Sequence, residues 1–206
     1  DLIRTGTNLD EDDTIDGGEG SNTVLTATNS SSIVPDLTNV ANLVVDPSGG
    51  TGDEVDLTNA SGLGRVVVDG TKDNNLTVTE AAAGTDVAFG DPDIDDGVDA
   101  DYRGSLTYEL ATATASDDDV TFSFNGTGAP APAGVTSIEA DDIETITLES
   151  NEGANVLDDL DADSVTTLNI TGNRAMTVSD FTNTGDLTKI DATNFSGQLT
   201  VAIPTL

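Results

Sequence analysis

Short runs of aliphatic and β-branched residues alternate with polar residues along the whole chain. The runs are about four or five residues long, and Gly, Asn, Ser and Asp separate them about every ten residues. Apolar residues tend to fall at every second position of a run, whereas an amphipathic helix would place them three and four residues apart. The pattern therefore predicts an all-β protein made of many short strands.

One apolar position repeats at a fixed step in the C-terminal part of the chain. Ile146, Leu168 and Ile190 follow one another at intervals of 22 residues. A unit of this length is too short for a βαβ crossover, which needs about 30 residues. Coils of roughly 22 residues, each carrying two or three strands, predict a parallel β-solenoid in which equivalent residues stack about 4.8 Å apart.

Two further series follow the same period. Val44, Val66 and Val87 are separated by 22 and 21 residues, and we expect them to stack as one ladder of the core. A polar signature, D-[LF]-T-N or the related DLDA, accompanies the apolar runs, and we expect its aspartates to form a column at a corner. The signature begins at Asp36, Asp56, Asp159 and Asp180.

The period fails in the middle of the chain. We interpret 90–137 as an insertion that contains an acidic loop, a β-hairpin of "SLTYELATATA" with "DDDVTFSF", and a Pro/Ala/Gly linker. Residues 1–89 and 138–206 would then be the N-terminal and C-terminal coils of one continuous domain. The alternative is a pair of coils with lengthened loops. Because the pattern starts and stops abruptly, we expect the chain to be a piece of a longer protein.

The charge of the chain is strongly unbalanced. Asp and Glu number 39 against 6 Lys and Arg, which gives a net charge of −33. This charge disfavours nucleic acid and anionic membrane surfaces as partners, and no apolar stretch approaches the roughly 20 residues that span a bilayer. Like charges also repel one another in a compact fold. Bound Ca²⁺ would remove this conflict, because carboxylate and carbonyl oxygens are its preferred ligands.

The segment 12–25, "DDTIDGGEGSNTVL", is the first candidate calcium site. Its glycines match the calcium-binding nonapeptide G-G-x-G-x-D-x-U-x, with Asn in the place of Asp. Glycine permits left-handed backbone there and lets carbonyls point at the ion. The candidate ligands are Asp13, Asp16, Gly17, Gly18, Gly20 and Asn22. A tight turn beside an unrelated acidic cluster is the alternative.

A second candidate lies at 91–101, "DPDIDDGVDAD", where carboxylates alternate with other residues as they do in EF-hand-like loops. The candidate ligands are Asp91, Asp93, Asp95, Asp96, Asp99 and Asp101. The loop is not an EF-hand, since its glycine falls one place late and no glutamate occupies the twelfth position. A solvated acidic loop is the alternative.

Three smaller acidic groups lie at 117–119, 139–144 and 158–163. Each could bind calcium at a corner of the coils, and each could equally serve as a solubilising edge. The candidate ligands taken from them are Asp141, Asp142, Asp159 and Asp161.

We do not expect an enzyme. The absence of His and Cys removes the commonest general base, zinc thiolate sites and thiol nucleophiles. Paired carboxylates can hydrolyse glycosides, but a carbohydrate cleft normally adds aromatic platforms and clustered basic residues. This chain has no Trp, two Tyr and 6 scattered basic residues. Ice binding is disfavoured as well, because T-x-T does not recur at the coil period.

With these features together, the chain resembles the RTX-type bacterial surface-layer proteins. The resemblance rests on "TIDGGEGSNTV" and on the run from Val165 to Ile203 with its "NITG" and "DATNFSG" turns. It implies type I secretion, an extracellular location in a surface layer, and a structural role in which calcium rigidifies the coils. The implied partner is the protein itself, in a two-dimensional lattice, with anchoring to a surface polysaccharide through other domains and no direct membrane insertion. A calcium-rigidified module of a large RTX adhesin is the main alternative, and a solenoid polysaccharide-active enzyme is a weaker one.

Overall fold

A computed structural model describes residues 2–6, 9–10, 12–19, 24–29, 32–47, 52–69, 74–90, 102–112, 117–126, 133–183 and 187–203. Every regular element in these ranges is a β-strand, and none of their residues forms a helix suited to crossing a membrane. The strands are β1 Leu2–Gly6, β2 Thr14–Asp16, β3 Val24–Asn29, β4 Asp36–Thr38, β5 Asn42–Pro47, β6 Asp53–Asp56, β7 Ala60–Ser61, β8 Arg65–Val68, β9 Leu76–Ala81, β10 Asp86–Phe89, β11 Ser105–Leu110, β12 Asp119–Asn125, β13 Ala133–Glu139, β14 Thr145–Asn151, β15 Asn155–Asp161, β16 Thr167–Gly172, β17 Met176–Thr182, β18 Lys189–Asp191 and β19 Leu199–Val201.

The strands stack into three parallel sheets that wind as a β-solenoid, which confirms the predicted fold class. The first sheet contains nine of the described strands in the order β1-β3-β5-β8-β10-β12-β14-β16-β18. The second contains seven, β19-β17-β15-β13-β11-β9-β6, and a short third sheet, β2-β4-β7, lies in the N-terminal coils. The residues of strand β14 alternate between buried and half-buried along the whole strand. This alternation is expected when one face of a strand packs on the core.

The core is a set of stacked apolar ladders, and the C-terminal one is as predicted. Ile146 pairs with Leu168 and Leu168 with Ile190 in the first sheet. Each of these pairs lies one coil apart, so the interval read from the sequence is the length of one turn. Burial of such ladders is the main favourable term for a solenoid, at about 25 cal/mol per Å² of apolar surface.

The predicted N-terminal ladder is wrong by one residue. Val66 does pair with Val87, but its partner in the preceding coil is Leu43 and not Val44. Val44 pairs with Val67 and forms, with Val67 and Ala88, a separate buried cluster. A shift of one residue moves a strand side chain to the other face of its sheet. Leu43 and Val45, rather than Val44, therefore pack into the main core.

The predicted hairpin within 90–137 is also wrong. Strand β11 lies in the second sheet between β9 and β13, and β12 lies in the first sheet between β10 and β14, all in parallel pairing. The alternative, coils with lengthened loops, describes the observed strands. The physical reason is that Tyr108 of β11 and Phe122 of β12 are both buried and meet edge to face at 5.9 Å across the core. Two apolar faces that oppose each other cannot belong to neighbours in one sheet.

Aromatic side chains concentrate in these longest coils. Phe89 packs against Tyr102 at 5.8 Å and against Phe124 at 5.1 Å between ring centroids. Val87 and its partner Phe122 are 35 residues apart, against the shorter steps of the C-terminal coils. Large rings fill the core where the coil is longest, and such pairs add about 0.5–1.5 kcal/mol beyond their buried area.

Glycine is required at a position where one coil closely approaches the next. Gly172 ends β16 with φ +105°, and a Cβ at this position would overlap the carbonyl oxygen of Ser150 in the preceding coil. Gly84 also has positive φ, +80°, but a Cβ there would meet nothing within 4 Å. Substitutions at Gly172 and at Gly84 can therefore separate the cost of backbone conformation from the cost of close packing.

We predict that Gly172→Ala lowers the free energy of unfolding by about 2–5 kcal/mol, because conformational strain and overpacking add. Gly84→Ala, the control, is expected to cost only the conformational term of about 1–2 kcal/mol. Urea unfolding followed by circular dichroism measures both variants against the parent protein. Equal losses in the two variants would mean that the contact with Ser150 is unimportant.

Candidate functional site

The Asn of the D-[LF]-T-N signature fastens one coil to the preceding one. Asn183 donates through Nδ2 to the carbonyl oxygens of Ala162 at 2.8 Å and Val165 at 3.0 Å, in the corner one coil earlier. Asn39 likewise donates to Oδ1 of Asp16, at 3.0 Å. Asn183 thus bonds to corner carbonyls of buried residues, and Asn39 bonds to an exposed carboxylate that also accepts from the amide of Gly18. At these two positions the Asn of the signature thus stabilises a corner of the solenoid.

The aspartates of the signature form only part of the predicted column. Asp159 of β15 pairs with Asp180 of β17, as expected for stacked coils. Asp36 lies on β4 of the third sheet and Asp56 on β6 of the second, so these two do not stack. The prediction that all four share one corner is therefore wrong. A short motif fixes a local turn, but its place in the coil depends on the number of residues that precede it.

The first predicted calcium site forms a hydrogen-bonded turn. Oδ1 of Asp16 accepts from the amide of Gly18 at 2.9 Å as well as from Asn39, and these bonds, led by the one from Asn39, lower the pKa of Asp16 below its ordinary value. Gly17 donates its amide to the carbonyl of Thr38 in the next coil at 2.8 Å. Asp13 accepts from the amide of Asp10. The described part of this segment thus joins two coils through hydrogen bonds, and a calcium ion there stays a prediction.

Several predicted ligands lie outside the described residues. These are Gly20 and Asn22 of the first candidate site and Asp91, Asp93, Asp95, Asp96, Asp99 and Asp101 of the acidic loop. Their role as calcium ligands stays a prediction.

The strongest concentration of described carboxylates lies where strands of the second sheet end. We call Glu139, Asp141, Asp159, Asp161 and Asp163 the acidic face. Glu139 of β13 pairs with Asp161 of β15, which stacks their side chains on neighbouring strands. Asp141 and Asp163 follow in the two corner turns, and the amide of Asp163 donates to Oδ1 of Asp141 at 3.4 Å. Parallel stacking therefore gathers five acids on one edge.

A cleft opens beside the acidic face. It has a volume of about 280 Å³, and its acidic lining includes Glu109, Glu139, Asp141 and Asp142. Thr107 donates its hydroxyl to Oε2 of Glu139 at 3.3 Å on the same side. One water molecule occupies about 30 Å³ in the liquid. The cleft is therefore large enough for several water molecules or for a hydrated cation. Asp142 therefore lines this cleft, whereas Asp159 and Asp161 lie on the coil that follows.

The acidic face is electrostatically strained. Burial raises the pKa of Asp161 above its ordinary value of 3.8, and repulsion from Asp141, Asp163, Asp159 and Glu139 raises it further, in that order. In addition, Oδ1 of Asp159 and Oδ1 of Asp163 are both buried and have no hydrogen-bond partner. A buried charged oxygen without a partner is costly, so a proton or a cation at this edge would be favourable.

The described side chains do not form a ready-made metal centre. Within the ranges given above, no group of three or more acidic side chains is arranged to hold a metal ion. Ca²⁺ accepts flexible coordination and takes several of its six to eight oxygens from water or main-chain carbonyls. The acidic face supplies carboxylates in pairs, which fits weak binding better than a rigid, closed site.

Two residues of the acidic face were not among the predicted ligands. Glu139 and Asp163 contribute to it together with Asp141, Asp159 and Asp161. The signal that identifies them is present in the sequence, because Glu139 and Asp161, like Asp141 and Asp163, are separated by the 22-residue coil length. Acids that repeat at this interval stack here because these C-terminal coils have equal length.

Comparison of the chain with models of protein families, with curated proteins and with solved structures found no match.

We predict that Asp161→Asn changes how stability depends on pH. Because the folded state raises the pKa of Asp161, its contribution is most favourable below 3.8 and is lost as pH rises through the folded-state pKa. In chelator, the parent protein should therefore gain stability relative to Asp161→Asn as pH falls from 7 toward 4. Thermal unfolding at constant ionic strength measures the difference.

Asp158→Asn is the matched control, because Asp158 is an exposed aspartate on the same strand. It removes the same charge without removing the crowded carboxyl group. If the two variants differ from the parent protein by the same amount at every pH, the crowding of Asp161 does not affect stability.

Proposed function

We propose that this protein is a structural module of a calcium-stabilised bacterial surface layer, located outside the cell. The observation that supports the proposal is the acidic face, a row of stacked carboxylates on a regular parallel solenoid. A cleft that orients a substrate is not needed for such a role, and neither is a nucleophile or a general base. The function we infer is mechanical, and Ca²⁺ is the ligand that stabilises the acidic face.

The physical basis of the proposal is that parallel stacking holds negatively charged carboxylates close together. Parallel strands lie about 4.8 Å apart, so Glu139 and Asp161 are held side by side in a chain whose net charge is −33. Cations relieve this repulsion. At an extracellular affinity of roughly 10⁻⁴–10⁻³ M, Ca²⁺ would bind only after export, and its binding energy would become folding energy.

The proposed assembly follows from the open architecture of the sheets. Among the described strands, β1 and β18 are the outer strands of the first sheet, and β19 is an outer strand of the second, whose other outer strand, β6, is bonded to Ile33 of the preceding coil. An outer strand presents unpaired amide and carbonyl groups that favour pairing with further coils. Cations shared between the acidic faces of neighbouring copies would add lateral contacts, which a two-dimensional lattice requires.

A module of a calcium-rigidified adhesin is the second candidate. The same acidic face supports it, because stacked carboxylates would stiffen a stalk in calcium as well as a lattice. The two functions differ in assembly, since a stalk module stays monomeric in calcium and a lattice module does not.

We predict that Ca²⁺ raises the free energy of unfolding by about 2.7 kcal/mol when its concentration reaches 100 times the dissociation constant. Circular dichroism during thermal unfolding, in Ca²⁺, in Mg²⁺ and in chelator at one ionic strength, measures the effect. Mg²⁺ should stabilise less, because it demands near-ideal octahedral geometry and gives up its water reluctantly.

The double variant Asp159→Asn with Asp161→Asn tests whether the acidic face holds the ion. It should lose much of the calcium response while gaining stability in chelator, because two repelling charges are gone. The control double variant, Asp117→Asn with Asp158→Asn, removes the same charge at exposed positions and should keep the response. Equal responses in both double variants would show that calcium acts elsewhere or only by screening.

We predict that the protein assembles in about 10 mM Ca²⁺, roughly ten times the weakest affinity expected. Electron microscopy should show flat sheets that dissolve when EGTA is added, and sedimentation velocity should follow the loss of monomer. Calcium binding by a protein that stays monomeric would contradict the lattice and favour the adhesin module. Stability and assembly that are both indifferent to EGTA would contradict both functions.

A further inference from the structure

The corner at which strands of the first sheet begin has one repeated hydrogen-bond pattern. The amides of Glu144 and Thr145 donate to the carbonyl of Asp118, and the amides of Thr166 and Thr167 donate to the carbonyl of Glu144. The amides of Thr188 and Lys189 continue the series on the carbonyl of Thr166. The equivalent positions of four successive coils are therefore Asp118, Glu144, Thr166 and Thr188.

Threonine serves a clear purpose at this corner. Thr166 donates its hydroxyl to the carbonyl of Glu144 at 3.1 Å, and Thr188 donates its hydroxyl to the carbonyl of Thr166 at 2.9 Å. Each hydroxyl thus adds a bond to the preceding coil. An ionised carboxylate cannot donate a hydrogen bond. Asp118 and Glu144 therefore place acceptors at the position where the two following coils use a donor.

Asp118 is buried and incompletely paired. It is 5% exposed, and its Oδ2 atom is inaccessible to water and has no hydrogen-bond partner. Most buried polar groups in proteins are hydrogen-bonded, and an orphaned charged oxygen is among the most expensive exceptions. Something must therefore accompany this oxygen when the protein is folded.

A second carboxylate lies against the same residue. Glu144 turns back to the preceding coil, where its Oε2 atom accepts from the amide of Asp118 at 3.0 Å. Asp117 and Asp119 add charge on either side along the chain. The corner therefore carries two adjacent acids, one of them buried, and no basic side chain bonds to Oδ2 of Asp118.

We propose that Asp118 and Glu144 bind one divalent cation of the Ca²⁺ type at this corner. The orphaned oxygen of Asp118 and the carboxylate of Glu144 supply the negative ligands, and water or main-chain carbonyls supply the remaining oxygens. The site differs from the acidic face, because neither residue is among the groups that raise the pKa of Asp161. The ion would join two successive coils at a place where threonine joins them elsewhere. The inference does not depend on surface-layer assembly.

The test counts the calcium ions bound by the whole chain with isothermal titration calorimetry, for Asp118→Asn and for the control Asp117→Asn. Asp117 is exposed and carries the same charge one residue earlier. Asp118→Asn should bind one ion fewer than the parent protein, whereas Asp117→Asn should keep the full number. Glu144→Gln should show the same loss or at least a tenfold weaker affinity for that ion.

Asp118→Thr keeps the test decisive if Asp118→Asn folds poorly. Threonine removes the buried, unpartnered carboxylate, so this variant should be at least as stable as the parent protein in chelator and should bind one ion fewer. An unchanged ion count in the Asp118 variants would overturn the proposal. An equal loss in Asp117→Asn would also overturn it, because the effect would then be general electrostatics.

Discussion

Successive coils of this protein are joined by parallel strand pairing, which sets equivalent residues about 4.8 Å apart for the length of the solenoid. Apolar residues gain from that arrangement, as in the ladder from Ile146 through Leu168 to Ile190. Acidic residues lose from it, as at Glu139 beside Asp161. The same geometry therefore builds the core and crowds carboxylates at its edge.

Side-chain hydrogen bonds at the corners add to the stability of this stacking. Asn39 and Asn183 reach back to the preceding coil with their amides, and Thr166 and Thr188 reach back with their hydroxyls. Each of these bonds adds to the register between two coils, which the buried apolar ladder already specifies. Where carboxylates replace those donors, at Asp118 and Glu144, a bound cation would perform the same task. Under this proposal, hydrogen bonds and metal binding are alternative ways of joining two coils at such a corner.

The sequence period predicted the solenoid and the C-terminal register because those coils have equal length. It failed where length varies, since Leu25 pairs with Leu43 after 18 residues and Val87 pairs with Phe122 after 35. A fixed period then assigns Val44 to the wrong ladder and reads β11 and β12 as a hairpin. The acidic face was found in part, through Asp141, Asp159 and Asp161. Buried carboxylate oxygens such as Oδ2 of Asp118 depend on the packing of a corner, which no periodicity reveals.

The most direct test of the account is the dependence of unfolding free energy on the logarithm of Ca²⁺ concentration, at constant ionic strength. Its slope reports how many more ions the folded state binds than the unfolded chain. If Ca²⁺ binds the stacked carboxylates, the slope is positive and corresponds to at least one ion, and the slope in Mg²⁺ is clearly smaller. A slope of zero, or one that equal ionic strength of Na⁺ reproduces, would contradict the claim that bound cations stabilise the stacked carboxylates.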